Sequence, residues 1–392
     1  AAKRHAAELA ADALARALGS AVAARAQLVP RPERALVAMS GGVDSAVAAH
    51  LSAAHGEAVA VTLELWADSE NDAERSCCSA SAVAQARALA HQMGLAHFTV
   101  DLRQEFRAGV VAPFIEGYAR GETPNPCVGC NGHVRLDAML ALAHRLGATA
   151  LATGHYARVS EPDHDDGPLL RAAADPAKDQ TYMLAALAPE SLAQMRFPLG
   201  ELRKPAVREI ARRAGLPVAG KADSQDLCFL AGTNRARFLA RHGGPGDRPG
   251  ALVGTDGAEL GRHLGQHRFT VGQRRGLGIA GAEPLYVLDK DAHTDAVTVG
   301  PREALRTARV AVRGARLLRD GNRVDRVKLR YRSHPVPASL EETVGKGAHR
   351  RLTLDLAEAV DGAAPGQLAC LMDGDLVVGW GTIARATDRL PA

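Results

Sequence analysis

Six residues, Ser40-Gly41-Gly42-Val43-Asp44-Ser45, carry the most specific chemistry in this chain. An apolar run from Ala35 to Met39 precedes them, and a helix-forming run from Ala46 to Leu51 follows. That order predicts a strand, a glycine turn and a helix start in immediate succession. Such a junction aims backbone N–H groups and the positive end of a helix dipole at one spot, where the two glycines leave room for an anion. A phosphate is the natural occupant. No Gly-Lys-Ser/Thr follows, so the loop is not of the Walker type.

The hexapeptide resembles the SGGxDS loop of the PP-loop ATP pyrophosphatases, which grip the pyrophosphate of ATP and cleave between its α and β positions. That resemblance implies Ser40 and Ser45 on phosphate oxygens, Asp44 helping to hold Mg²⁺, and Ala38, Met39, Gly41, Gly42 and Val43 around the nucleotide.

Cysteines supply the second set of candidates. In Thr123-Pro124-Asn125-Pro126-Cys127-Val128-Gly129-Cys130-Asn131, two prolines predict an extended loop ahead of a helix. Cys130 is expected near that helix's N-terminus, where the dipole favours thiolate and hence nucleophilicity. The C-x-x-C pair alone leaves open half a zinc site, a dithiol or two unrelated thiols, and no second C-x-x-C or H-x-x-x-H follows at finger spacing. Far downstream, the polar segment Asp223-Ser224-Gln225-Asp226-Leu227-Cys228-Phe229 delivers a lone cysteine. Cys370 falls in an alternating, strand-like run, where burial as a small hydrophobe is expected. Cys77 and Cys78 precede a predicted helix and receive no role.

The elements that must position these residues are also legible. Strands are predicted over 58–65, 97–100 and 148–153, and helices over 81–93, 105–120, 134–146 and 204–214. Such alternation implies a parallel sheet covered on both faces, with ligands bound beyond the carboxyl ends of its strands. After Gly243-Gly244-Pro245-Gly246 the pattern changes to short β-like runs over 297–299, 327–331, 352–356, 367–372 and 376–383, as in a small barrel. Residues 1–27 read as an exposed, alanine-rich helix without chemistry.

A chain of 392 residues implies more than one domain, and its six cysteines are too sparse for a disulfide scaffold. No apolar stretch reaches the length of a membrane span and no leader pattern is visible, so a cytoplasmic protein is expected. The net charge of +4 permits a nucleic-acid partner without requiring one. Its distribution is more informative: basic residues from Arg203 to Arg241, then Arg262 to Arg275, suit a polyanion, with solvated helix faces as the alternative for the first group.

Beyond the loop and the cysteines, Ala152-Thr153-Gly154-His155-Tyr156, Lys178-Asp179-Gln180, Phe269-Thr270-Val271-Gly272-Gln273-Arg274-Arg275-Gly276-Leu277-Gly278 and Pro365-Gly366-Gln367 complete an ordered series. In this order the motifs resemble the tRNA-specific 2-thiouridylases, from about Ala35 to the C-terminus. The resemblance implies an α/β fold: a helical extension over 1–34, a PP-loop catalytic domain over 35–220, a small central β-rich tRNA-binding domain over 221–282 and a C-terminal β-barrel over 283–392. It implies ATP-dependent adenylation of the 2-oxygen of the wobble uridine of tRNA, then sulfur transfer. Cys228 would carry the persulfide, and Cys130 would attack it, leaving a Cys130–Cys228 disulfide.

Further, the family likeness implies adenosine contacts near Leu63 and Gly154. It implies tRNA contacts at Asn125, Pro126, Cys127, His155, Lys178, Asp179, Gln180, Arg330, Tyr331 and Gln367, and a cysteine desulfurase or sulfur-relay protein as donor. One departure stands out: many members of that family have aspartate where this chain has Cys127. A thiol is a poor substitute acid or base at neutral pH, and a third cysteine opens the alternative of an iron–sulfur cluster on Cys127, Cys130 and Cys228. A different PP-loop adenylating enzyme is the other alternative.

Overall fold

A computed structural model describes residues 2–68, 80–162, 166–223, 227–279 and 283–385. Cys77, Cys78 and Ser224-Gln225-Asp226 lie outside the described residues. The chain forms two compact units, one of residues 1–110 with 129–233 and one of 111–128 with 234–392.

The first unit is built on a parallel sheet of β1 (Arg31–Ala38), β2 (Glu57–Glu64), β3 (Ala96–Asp101) and β4 (Ala148–Ala152). Two short strands, β5 (Arg158–Val159) and β6 (Leu170–Arg171), pair antiparallel with each other, and β7 (Met195–Arg196) joins the parallel sheet. The sheet order is β3-β2-β1-β4-β7. The central strands are apolar on both faces, with Leu36, Val37 and Leu151 at 0 % exposure, as helix-covered parallel strands must be. Helices Val43–His55, Ala80–Gln92 and Lys204–Arg213 bury Val47, Leu89 and Val207 in one shared core. Each such side chain contributes roughly 1.5–3 kcal/mol.

The N-terminal helix, Ala2–Arg25, corrects one expectation. It is not simply an exposed extension. Ala15 is buried, Arg16 donates to Glu64 at 2.6 Å, and Asp12 accepts from the buried Arg87, so the helix is tied to β2 and to the helix after it.

In the second unit, β8 (Gly250–Val253), β9 (Glu259–His263), β10 (Tyr286–Asp291) and β11 (Ala296–Gly300) form a four-stranded sheet ordered β10-β11-β8-β9. The expected domain limit at 282/283 therefore falls between strands of a single sheet. Six further strands follow: β12 (Arg306–Leu317), β13 (Arg326–Lys328), β14 (Val336–Leu340), β15 (Gly347–Asp361), β16 (Leu368–Asp373) and β17 (Leu376–Ile383). Neighbours among them run β12-β15-β14-β13-β16-β17, and β12 also pairs with β17, which closes the ring of six. Cys370, at 0 % exposure on β16, is a core residue, as its alternating context predicts. Arg330 and Tyr331 lie in the turn after β13 rather than on the strand, which ends at Lys328.

Candidate active site

The Ser40 loop joins β1 to the helix Val43–His55 as the sequence predicts. Gly41 takes a positive φ of 72°, and a Cβ there would stand 2.9 Å from the Ala82 carbonyl oxygen, so only glycine fits. The loop is braced internally. Ser45 Oγ accepts from the Ser40 amide at 3.1 Å, lies 3.2 Å from Ser40 Oγ and donates to the Gly42 carbonyl. Both hydroxyls thus stand at the helix N-terminus, where N–H groups lack helical partners.

Gly154, just past β4, is explained by packing. A Cβ on it would sit 2.7 Å from the Asp44 carbonyl carbon and the Ser45 amide nitrogen. The end of β4 therefore rests directly on the start of the phosphate-loop helix. Leu63 lies beyond the last β1–β2 register pair, Ala38↔Val61, at the carboxyl end of the sheet where a nucleotide is expected. Met39, whose amide bonds the Val61 carbonyl at 2.8 Å, closes the β1 end.

Asp44 sits in an ionic cluster that the spacing did not reveal. Lys204 Nζ donates to Asp44 Oδ1 at 2.7 Å and Oδ2 at 2.8 Å, and the Tyr156 hydroxyl donates to Oδ1 at 2.8 Å. The same ammonium lies 2.8 Å from Asp223 Oδ1. Asp223 also receives Lys178 at 2.7 Å and Arg208 at 3.2 Å. Burial pulls the Asp223 carboxyl upward, but the Lys178 and Lys204 ammonium groups outweigh it and hold the acid below the usual carboxylate range. Burial and the Asp44 carboxylate push the Tyr156 phenol well above its ordinary value, so it stays a donor. Lys221 donates to the Gly41 carbonyl at 3.0 Å.

These contacts correct the solvated-face alternative for the first basic group: Lys204, Arg208 and Lys221 turn inward onto the loop and Asp223. Arg212 and Arg213 do remain exposed on that helix.

The cysteine region also departs from expectation. The helical stretch starts at Pro126, with Asn125 Oδ1 accepting the Cys127 amide at 3.1 Å, and runs through a π-helical segment Cys130–Arg135 into Leu136–Arg145. The first turn therefore lies ahead of Cys130, and the dipole argument applies to Cys127 instead. Cys130 is buried within the π segment. Gly109, in a second π segment, faces it closely enough that a Cβ would meet Val134 Cγ2 at 2.7 Å. Asn131 fixes the turn by donating to the Met183 carbonyl at 3.2 Å. Cys228 opens a short 3₁₀ turn, Cys228–Leu230, and stays half-buried. Its neighbour Phe229 is the anchor, packed edge-on to Phe106 at 5.9 Å and near Trp66.

Cys127, Cys130, Cys228 and Cys370 are all thiols. Among the described residues no group of three or more His, Cys, Asp or Glu side chains is placed to hold a metal ion.

Several expected tRNA contacts have their polar groups engaged within the fold. Burial pushes the His155 imidazole down to about 3, so it is neutral, and its Nδ1 lies 2.9 Å from Thr153 Oγ1. Asp179 accepts from Ala173 N at 3.1 Å and Thr181 Oγ1 at 2.7 Å, just ahead of the helix Thr181–Leu184. Gln180 exchanges two bonds of 2.9 Å with the Tyr156 backbone.

In the second unit, Gln367 donates to the Thr123 carbonyl, and Thr123 donates its amide to Pro365 at 2.8 Å. Glu122 pairs with Arg313 at 2.6 Å. Gln367 thus secures the loop that leads to Pro126 and Cys127. Arg330 is exposed but donates to the carbonyls of Asp361 and Gly362 at 3.0 and 2.8 Å.

The loop after Phe269 is anchored by Gly272 and Gln273 on Val287 and turned by glycines of positive φ at 272, 276 and 278, leaving Arg274 and Arg275 exposed. Beneath it, Lys290 is 2 % exposed, donates to the Phe269 carbonyl at 3.0 Å, and is pushed by burial down to about 7. No sequence signal marked that lysine.

A parallel sheet with a glycine loop at its switch from strand to helix, and no Walker lysine, defines a PP-loop nucleotide-using domain. Residues 33–232 match a family model described as a tRNA methyl transferase HUP domain. Residues 236–301 match a tRNA methyl transferase PRC-barrel domain and 316–383 an aminomethyltransferase β-barrel domain. The chain belongs to the tRNA-specific 2-thiouridylase family, tRNA-uridine 2-sulfurtransferases by activity. It is 46% identical over 89% of its length to the bifunctional protein NifU/MnmA of Rubrobacter xylanophilus, covering 70% of that protein. It is 42% identical to the tRNA-specific 2-thiouridylase MnmA of Methylorubrum extorquens, over 91% of this chain and 94% of that one. With the Geobacter metallireducens MnmA it shares 41% over 90% and 97% of the two chains.

Proposed function

We propose that this chain thiolates the wobble uridine of tRNA through an adenylated intermediate and a cysteine persulfide. A urea-like carbonyl is a poor electrophile and oxide a poor leaving group. Transfer of AMP from ATP to the uridine 2-oxygen, with loss of pyrophosphate, converts that oxygen into a leaving group. Cys228 carries the persulfide. The Cys130 thiolate attacks the Cys228 sulfur, the S–S bond to the terminal sulfur breaks, and a Cys130–Cys228 disulfide forms as sulfide leaves. Sulfide then displaces AMP from C2, giving 2-thiouridine, and an external dithiol reduces the protein disulfide.

What carries the reading is the presence, in one unit, of the Ser40–Ser45 loop at a helix N-terminus and the two thiols Cys130 and Cys228 on separately anchored turns. Mg²⁺ would bring its usual neutralisation of phosphate charge. One carboxylate, Asp44, beside two hydroxyls suits a hard cation that takes most of its ligands from phosphate and water. The second unit, with its exposed Arg274 and Arg275, is assigned to tRNA. Asn125, Pro126, Cys127, His155, Lys178, Asp179, Gln180, Arg330, Tyr331 and Gln367 are the proposed contacts or their immediate supports. The sulfur comes from a cysteine desulfurase or a relay protein, in the cytoplasm.

The test is mass spectrometry of anticodon nucleosides after incubation with ATP, Mg²⁺, tRNA and a persulfide source. Appearance of 2-thiouridine that depends on ATP is the expected result, and pyrophosphate release without any thiolated nucleoside would instead favour a different adenylating activity.

A further inference from the structure

In the second unit, Tyr118 lies near the end of the helix Ala112–Ala119, and two cations from distant parts of the chain converge on its ring. The Arg235 guanidinium lies 4.9 Å from the ring centre and the Lys290 ammonium 5.9 Å. Both also reach further. Arg235 donates to the Tyr118 hydroxyl at 3.2 Å, to the Arg268 carbonyl at 2.7 Å and to Thr270 Oγ1 at 3.4 Å. Lys290, on β10, donates to the Phe269 carbonyl at 3.0 Å and to that of Glu122 at 3.4 Å. The consecutive residues 268–270 are therefore gripped by two side chains that also hold Tyr118 and the chain just past it. Burying an ammonium beside a second cation is costly, and both burial and Arg235 lower the proton affinity of Lys290. An apolar side chain on β10 would avoid that cost, so the carbonyls it fixes, rather than stability, account for a lysine there.

Directly after Thr270 the chain enters the loop that holds Arg274 and Arg275 out to solvent. The grip is continuous with that loop: the Gln273 amide donates to the Thr270 carbonyl at 2.9 Å, and the Gln273 side chain accepts from the Thr270 amide at 3.1 Å. We propose that Arg235 and Lys290 are positioning residues for tRNA, two cations on Tyr118 that set the place of the Arg274–Arg275 loop before any phosphate reaches it. The inference rests on the assignment of that loop to tRNA. Its physical basis is preorganisation, because ordering a loop and its long side chains costs free energy at the moment of binding unless the fold has already done it. Backbone bonds from Gly272 and Gln273 to Val287 keep the loop on β10 whatever the two side chains are. Loss of the grip thus leaves the sheet intact and lets the loop pivot about Val287.

The experiment is filter binding of bulk tRNA by the full chain over a salt series, with folding checked by circular dichroism. Lys290→Met and Arg235→Lys should each raise the Kd by about five- to tenfold at fixed salt. The log–log salt slope should stay unchanged, since Arg274 and Arg275 neutralise the same phosphates once bound. Arg235→Lys keeps the charge and loses the planar fork, so a residue that served by charge alone would bind as before. In an Arg274→Ala, Arg275→Ala background both substitutions should lose most of their effect, as residues that act through those arginines must.

Unchanged affinity in the folded variants overturns the proposal. So does a slope lowered by about one unit in either, which would make that cation a phosphate contact, or a full effect in the background without the two arginines. If Lys290→Met does not fold, Arg235→Lys decides by the same criteria. These failures leave the tRNA assignment of the loop standing, whereas tRNA binding that is indifferent to loss of both Arg274 and Arg275 overturns the assignment and the inference together.

Discussion

At the scale of single residues, the two described thiols of the first unit are set by different means. Cys130 is enclosed by a π-helical turn, a local geometry often found where function has displaced regularity, and Cys228 is held by an aromatic anchor next to it. Neither can be replaced by a hydroxyl in sulfur chemistry, because serine carries no persulfide and does not attack one. Cys130→Ser and Cys228→Ser should each reduce tRNA thiolation by at least about a thousandfold, roughly 4 kcal/mol of lost transition-state stabilisation, while ATP binding is kept. Nucleoside mass spectrometry together with nucleotide binding checks both halves. Cys370→Ser is the control. Its thiol lies in the barrel core on β16, so activity should persist with a destabilisation of about 1–3 kcal/mol from burying a hydroxyl, read as a lower melting temperature.

At the scale of elements, the active geometry depends on how closely β4 approaches the phosphate-loop helix. Gly154→Ala places a methyl group 2.7 Å from Asp44 and Ser45 backbone atoms, which cannot yield without moving the helix start. Pyrophosphate release should fall by about a hundredfold even where the far-UV spectrum is unchanged, since misplacement of about an ångström costs that much in catalysis. Normal turnover in Gly154→Ala would refute the contact.

The same sheet contains a pH-sensitive residue. His97 on β3 is buried, lies 2.9 Å from Thr62 Oγ1 on β2, and has its imidazole pushed down to about 4 by desolvation, with His91 and Arg87 adding to it. The folded state therefore binds the proton more weakly than the unfolded chain, so stability present above about pH 6.5 is lost as the pH falls toward 4. At pH 5 the loss amounts to about 2 kcal/mol. Thermal unfolding at pH 7 and pH 5 should show that difference, and it should shrink in His97→Asn.

At the scale of the whole molecule, the two units carry different charge arrangements. In the first, the lysines and arginines nearest the loop are spent on Asp44, Asp223 and backbone carbonyls. In the second, a glycine-turned loop holds Arg274 and Arg275 out to solvent. If that loop neutralises tRNA phosphates, each contact releases condensed counterions, and affinity falls linearly with salt on a log–log scale. Arg274→Ala should weaken tRNA binding and lower the magnitude of that slope by about one unit, with ATP affinity unchanged. Filter binding over a salt series decides the matter: an unaltered slope would remove this arginine from the interface.

By itself, the sequence determined the features that depend on neighbours along the chain. The phosphate loop is legible because strand, glycines and helix start are contiguous. The parallel sheet follows from apolar runs alternating with helical periods, and the barrel from short alternating strands. Local order also disclosed that the cysteines and the Gly272–Gly278 loop were sites of interest. Only the tertiary structure decided which charges meet. Lys204 sits 160 positions from Asp44 in the chain yet 2.7 Å away in space, and nothing in its surroundings, a helix start before Pro205, distinguishes an inward ammonium from a solvated one. Gln367 is named as an RNA contact by the family resemblance alone, and only folding shows that its amide also reaches the Thr123 carbonyl. The start of the helix at Pro126 likewise escaped the local pattern, because Asn125 caps it and a π turn carries Cys130 inside. Backbone periodicity is a local property and is written in the chain; charge pairing and burial are properties of distances that exist only once the chain has folded.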